Sequence, residues 1–312
     1  MMAKKLRFGF CGSGRFAAEC LSLIAHKAKP EWVVTNAPRP SGRGLQIRNT
    51  PVFEKAEELG IKIRTTSKLS ADTETIEWIM SDLPDLILVI DFGHMIKEPL
   101  LSMAPLGCIN IHPSMLPAYR GSAPVQRAIM DGLKETGVTI FRLDEGMDSG
   151  PILSHVPVII SDEDDTGSLL IKTCRAGCEK LLEFLLDIPS ERWTFVPQTE
   201  DGASTAPKID KSEGKIEWKD SSINIFNKIR ALCIAPGTYC EHEGKRLRIH
   251  RAVPALVSGS PGKLIEIDNG FPVIACGSGS LKLINVQPEG KKVQKAEEWL
   301  RGSRMKVGDI LH

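Results

Sequence analysis

The chain has 312 residues, 42% hydrophobic and 25% charged, with a formal net charge of +1. That length allows two ordinary domains with apolar cores, and those proportions exclude a disordered chain. The longest apolar run, around Leu86 to Ile90, is far too short to cross a bilayer as a helix.

The opening, MMAKKLRFGFCGSGRF, carries two lysines but no long apolar segment ahead of its glycines. It reads as a first strand and not as a signal peptide, so a cytoplasmic protein is expected. The eight cysteines are scattered without a CxxC pair, as in proteins that keep reduced, buried thiols. No His/Cys cluster has zinc-finger spacing, so no structural metal is expected. Residues 207–312 hold 18 Lys/Arg against 12 Asp/Glu, whereas the rest holds 22 against 27. A basic C-terminal part joined to an acidic N-terminal part hints at a polyanionic partner for the second half.

Strands and helices alternate through the first half. Residues 6–11 form a short apolar strand that ends in Gly-Ser-Gly, and RFAAECLSLIAH follows with helical periodicity. Residues 32–37 are β-branched and strand-like. Residues 51–60 read as a helix with Pro51 in its first turn and Gly60 after its last. IKIRTT is a short strand and ADTETIEWIMSDL a helix. Residues 85–92, DLILVIDF, are a continuous apolar run, the mark of a central strand buried on both faces. Residues 107–112 make another strand, and 122–132 a helix with Ser122 as its expected cap. GVTIFRLD and PILSHVPVII look like antiparallel neighbours joined by EGMDSG, and a long amphipathic helix follows. This order predicts an α/β fold: a Rossmann-like, doubly wound, mostly parallel sheet with an antiparallel edge.

Residues 197–214 are polar and rich in Gly, Ser, Thr and Pro, and read as a linker between residues 1–196 and 215–312. Beyond one short helix, the last segment is a run of short strands broken by glycines, which predicts a small, OB-like β-barrel.

Gly12, Ser13 and Gly14 after the first strand loosely match a dinucleotide fingerprint. Asn36 and Ala37, not an acid, close the second strand, so NAD is not expected. Asn110 and His112 lie at the end of a predicted central strand, on one face by their i, i+2 spacing, where open α/β sheets bind ligands. Pro113 and Pro117 stiffen the exit. Asp148 lies in the turn 143–150, between two strands of the same half. An amide, an imidazole and a carboxylate converging there could stabilise an oxyanion and shuttle a proton. No G-x-S-x-G elbow surrounds Ser114, which argues against a serine-hydrolase triad.

The segments NIHPSMLP (110–117), YRGSAPVQ (119–126) and GVTI…DEGMDSG (137–150) resemble the formyltransferases that use 10-formyltetrahydrofolate. RGSAP, RPSGRG (39–44) and the 206–221 stretch resemble, more narrowly, the methionyl-tRNA formyltransferases. The resemblance covers nearly the whole chain. It implies Asn110, His112 and Asp148 as catalytic residues. It implies that Ser114, Met115, Leu116 and Pro117 line the folate site, and that Ile90 and Phe92 belong to the backbone loop around the pterin ring. Its partners would be 10-formyltetrahydrofolate and methionyl-initiator tRNA. The tRNA would be held by Arg39, Arg43 and Arg48 in the early basic loop and by Lys245, Arg246 and Arg248 in the barrel. A monomer is expected. Asp91 departs from the family, which commonly has a small residue there, and Leu45 and Gln46 stand where two lysines are common. The alternative reading is an N-formyltransferase acting on an amino-sugar nucleotide.

Overall fold

The computed structural model describes residues 6–41 and 46–312. In chain order these form β1 (Phe8–Gly12), α1 (Arg15–Ala25), β2 (Trp32–Asn36), the hairpin β3 (Arg39–Ser41) and β4 (Gln46–Arg48), and α2 (Pro51–Glu58). Then come β5 (Lys62–Thr66), α3 (Thr73–Asp82), β6 (Leu86–Ile90), α4 (Leu100–Met103), β7 (Cys108–His112) and α5 (Pro124–Met130). The antiparallel pair β8 (Glu135–Arg142) and β9 (Ile152–Ile159) and the long α6 (Thr166–Leu186) follow. The remainder is α7 (Ser222–Ala231), β10 (Thr238–His242), β11 (Lys245–Ala255), β12 (Leu264–Asp268), β13 (Phe271–Ala275), β14 (Ser280–Pro288), β15 (Gln294–Lys295) and α8 (Ala296–Ser303).

Two compact units result. The first comprises Met1–Gly121, Glu135–Ile159 and Leu170–Thr205, and the second Ser122–Lys134, Ile160–Leu169 and Ala206–His312. Residues 197–214, linker-like in composition, are shared between them, 197–205 with the first and 206–214 with the second.

A seven-stranded sheet in the order β5-β2-β1-β6-β7-β8-β9 spans the first unit. β5 to β7 run parallel, and β8 and β9 close the edge antiparallel. Every residue of β1 and β6 is buried, because apolar helices cover both faces. Leu21 and Ile24 of α1, Val52 and Ala56 of α2 and Leu181 of α6 fill one side; Ile79 of α3 and Leu100 of α4 fill the other. The helices start where local chemistry caps them. Thr50 accepts the Phe53 N–H at 3.0 Å ahead of Pro51, and Asp72 accepts the Thr75 N–H at 3.0 Å.

The second unit is built on the antiparallel sheet β10-β11-β14-β13-β12, with β15 on β14, wrapped as a small barrel around one core. Ile225 and Ile229 of α7, Leu247 and Ile249 of β11, Leu281 and Leu283 of β14 and Trp299 of α8 form that core. Ser221 caps α7 through the Asn224 N–H. One expectation fails at α5. Its N-cap is Ala123, with no side-chain cap, and not Ser122. Pro124 opens the helix, and the Ala123 N–H is already bound to the Ala206 carbonyl at 3.1 Å, so the chain enters one residue later than Ser122 would need. The hairpin β3–β4 and the helices α4 and α8 were not foreseen.

Candidate active site

Strand order reverses at β1, with β2 on one side and β6 on the other. The crevice beyond the carboxyl ends of such strands is where open α/β sheets take ligands. β7 runs parallel to β6, so its carboxyl end lies on that same edge of the sheet. Ile109 and Ile111 of β7 are buried in the core, so Asn110 and His112 share the opposite face of the strand. Asn110 is half-buried. No hydrogen bond to its side-chain amide is seen among the described residues.

His112 is only 6% exposed. Its ring meets Phe141 edge-on at 6.4 Å, and its Nε2 lies 3.0 Å from the Tyr119 carbonyl oxygen. A carbonyl only accepts, so Nε2 carries a proton and donates it there. His112 Nδ1 faces Asp148 Oδ2 at 3.7 Å, inside ion-pair range but longer than a hydrogen bond. Both ring nitrogens thus face oxygens.

Asp148 adopts a left-handed backbone, φ 52°, a conformation Asp tolerates better than most residues. Its Oδ2 accepts the Gly121 N–H at 2.8 Å. The turn is clamped from a distance: Gln198 Nε2 donates to the carbonyls of Asp148 and Gly150 at 2.9 and 2.8 Å. Arg120 in turn donates to Gln198 Oε1 at 2.9 and 3.1 Å. Gln198 read as linker from composition, and no local signal pointed to it.

The exit from β7 is also held by side chains that sequence reasoning missed. Thr139 Oγ1 donates to the Ser114 carbonyl at 2.7 Å and accepts the Leu116 N–H at 3.0 Å. His155 Nε2 lies 2.9 Å from the Leu116 carbonyl. Ser114 is fully buried, its hydroxyl donating to the Ala118 carbonyl at 2.7 Å, and Leu116 is buried too. Met115 and Pro117 are half-buried. At the end of β6, Ile90 is fully buried in the core and Phe92 is 3% exposed, its ring 4.9 Å from that of His94. At Ile90 and Ser114 it is therefore the backbone that is left to meet a ligand.

Asp91 has φ 44° and presses its carboxylate onto the turn that opens α1. Its backbone oxygen accepts the N–H groups of Ser13 and Gly14. A β-carbon at Gly14 would collide with the carboxylate. Burial pushes this carboxyl up to about 6, opposed by a hydrogen bond from the Ala17 N–H. Burial lowers the His94 ring below its ordinary value, and Arg39 adds to that. Buried Asn36 Oδ1 and His94 Nε2 have no hydrogen-bond partner among the described residues.

Arg39 and Arg48 stand opposite each other at the base of the β3–β4 hairpin, both exposed. Arg43 lies outside the described residues. In the second unit, Arg246 and Arg248 alternate along β11 with the buried Leu247 and Ile249, so the two guanidinium groups share the solvent face, and Lys245 is exposed at the strand's start. Arg246 stacks 3.9 Å above the ring of Tyr239, which fixes the guanidinium as an outward donor.

Comparison with known proteins identifies the family. The formyl transferase family matches residues 11–185, and the family described as the formyl transferase C-terminal domain matches residues 208–304. The methionyl-tRNA formyltransferase of Paracoccus denitrificans is 36% identical over 95% of this chain and 97% of its own length. The methionyl-tRNA formyltransferase of Kosmotoga olearia is 37% identical over 92% of this chain and 94% of its own. Among solved structures, an N-formyltransferase from Helicobacter canadensis, in complex with folinic acid and dTDP-3-aminofucose, superposes with a TM-score of 0.65. It covers 89% of this chain and 99% of its own at 19% identity, a likeness of fold alone.

Proposed function

The chain belongs to the methionyl-tRNA formyltransferase family, and from that premise we propose that it transfers a formyl group from 10-formyltetrahydrofolate to the α-amine of methionyl-initiator tRNA. The observation that carries the mechanism is His112 Nδ1 at 3.7 Å from Asp148 Oδ2, with Asn110 two residues back on the same strand face. The neutral amine attacks the formyl carbon, and the carbonyl oxygen takes up the electron pair. The free amide of Asn110 donates one hydrogen bond to that oxygen. His112 donates a second from Nδ1, because Nε2 is spent on the Tyr119 carbonyl. A donor of this kind is worth about 3 kcal/mol of barrier. Asp148 balances the imidazolium charge and passes the proton from the attacking amine towards the leaving N10.

The folate lies against the backbone of 90–92 and 114–117, beside the half-buried Met115 and Pro117. Arg39, Arg43 and Arg48 take the acceptor end of the tRNA, and Lys245, Arg246 and Arg248 its phosphates. Formyl transfer belongs to residues 1–196 and phosphate binding to 215–312, in a monomeric cytoplasmic enzyme. The relatives named methionyl-tRNA formyltransferase favour this acceptor over an amino-sugar nucleotide.

A transfer assay with formyl-labelled 10-formyltetrahydrofolate tests the reading. Label should move to methionyl-initiator tRNA and not to an amino-sugar nucleotide. Transfer to the sugar, or release of formate with no amine present, would replace it.

A further inference from the structure

Behind the sheet, away from the crevice, three cysteines meet that the proposed chemistry does not use. Cys20 comes from α1, and Cys174 and Cys178 stand one turn apart on α6. All three are 0 to 2% exposed. The sulfurs of Cys20 and Cys174 are 3.2 Å apart, and all three sulfurs lie within 4.8 Å of one another. The surroundings are apolar: the three cysteines' helices pack in one core with Leu21, Ile24, Ile111, Val138 and Leu181. Gly177, between the two α6 cysteines, brings the helix close to Ile111 and Val138, where a β-carbon would be crowded.

Three convergent sulfurs form a ligand set for a soft, thiophilic centre. Zinc in a structural site takes four ligands, and no fourth His, Cys, Asp or Glu joins this group among the described residues. Charge decides among the remaining candidates. Three thiolates around a monovalent or divalent ion leave a net negative charge in an apolar core, which is costly. Three thiolates around a trivalent centre are neutral. A pyramidal three-coordinate centre also draws its sulfurs closer than a planar one does, in keeping with the short Cys20–Cys174 contact. We propose that Cys20, Cys174 and Cys178 form a three-coordinate binding site for trivalent arsenic, taken up as arsenite. The step balances without an oxidant. Three S–H and three As–OH bonds break, three As–S bonds form, and three waters leave from one As(OH)₃.

Sodium arsenite added to the full-length protein under a reducing phosphine tests the site. The expected result is one arsenic per chain, a three-sulfur shell in arsenic X-ray absorption, and an unfolding midpoint raised by about a few degrees, since binding favours the folded state. Each of Cys20→Ala, Cys174→Ala and Cys178→Ala should weaken binding by more than about a hundredfold, beyond what loss of a mere supporting residue of a metal site does. X-ray absorption on the unsubstituted protein decides even where an alanine variant fails to fold. A shell of fewer than three sulfurs overturns the proposal. So does arsenic retained by a folded variant, or tighter binding of zinc or copper(I) than of arsenite in parallel titrations.

Discussion

Replacing Asp148 by Asn tests the charge at the proposed centre while sparing its shape. The amide oxygen can still accept the Gly121 N–H, bonded at 2.8 Å in the native chain. Asn also tolerates the left-handed backbone that Asp148 adopts at φ 52°. The Gln198 bonds run to backbone carbonyls and persist. What disappears is the negative charge 3.7 Å from His112 Nδ1. Two unit charges at that distance attract by about 4 kcal/mol at an effective dielectric constant of about 20. The Asp148 side chain is 17% exposed, and screening there leaves about 2 to 3 kcal/mol. That converts to a loss of roughly a hundredfold in kcat/KM for formyl transfer to methionyl-tRNA. The folate KM should hold, and so should the thermal midpoint. Steady-state kinetics with saturating tRNA, paired with a melting curve, reads both. A variant within about threefold of the native kcat/KM, with an unchanged melting curve, would show that the imidazolium needs no counter-charge, and the mechanism would lose its third member.

Thr139→Val keeps the volume of a buried side chain but strands the Leu116 N–H and the Ser114 carbonyl that its hydroxyl bonds at 3.0 and 2.7 Å. A loss of about 2 kcal/mol, seen as a midpoint lower by about 5 °C, is expected together with a raised folate KM; an unchanged melt would mean the hydroxyl does not hold the loop. Asp91 is exposed as a residue, but its carboxylate is packed against the Gly14 turn, and that local burial raises it to about 6. Its ionisation therefore costs native stability nothing below its ordinary range near 3.8, and a growing penalty as pH rises towards 6, constant above. Asp91→Asn should match the native protein at pH 4 and exceed it at pH 8 by about 1 kcal/mol, after allowing for solvent screening at an exposed residue, and equal chemical denaturation curves at pH 8 would refute this. Changing Lys245, Arg246 and Arg248 together to Gln should lower the slope of log affinity for tRNA against log salt by about 2. An unaltered slope would remove β11 from the phosphate contacts.

How far the chain alone foretells the fold follows the range of the interaction involved. β6 was legible because a parallel strand covered on both faces is apolar at consecutive positions, and Leu86 to Ile90 are all buried. Asn110 and His112 were legible as a pair because a strand's period of two is a local fact. The clamp on the Asp148 turn was not, since Gln198 is 50 residues away in a stretch whose Gly, Ser, Thr and Pro content resembles any linker. Composition records a segment's own preference for turns, not the carbonyls it will meet. The missed α5 cap has the same origin: Ser122 is a good capping residue, but a hydrogen bond from Ala123 to Ala206 decides where the helix begins. Asp91 shows the converse. It departs from the pattern that the sequence motifs resemble, and in the fold its carboxylate uses the space that Gly14 leaves empty. The departure at one strand end is matched by the absence of a side chain at another, so a substitution at either position must be judged against both. The cysteine triad is the extreme case, with Cys20 and Cys174 separated by 154 positions in the chain. Spacing rules for metal sites read ligands close in sequence, whereas these sulfurs are brought together only by the packing of α1 against α6. A ligand set assembled wholly by tertiary structure leaves no periodic mark on the chain, and that is why the sequence alone argued against any metal while the fold presents three sulfurs at one point.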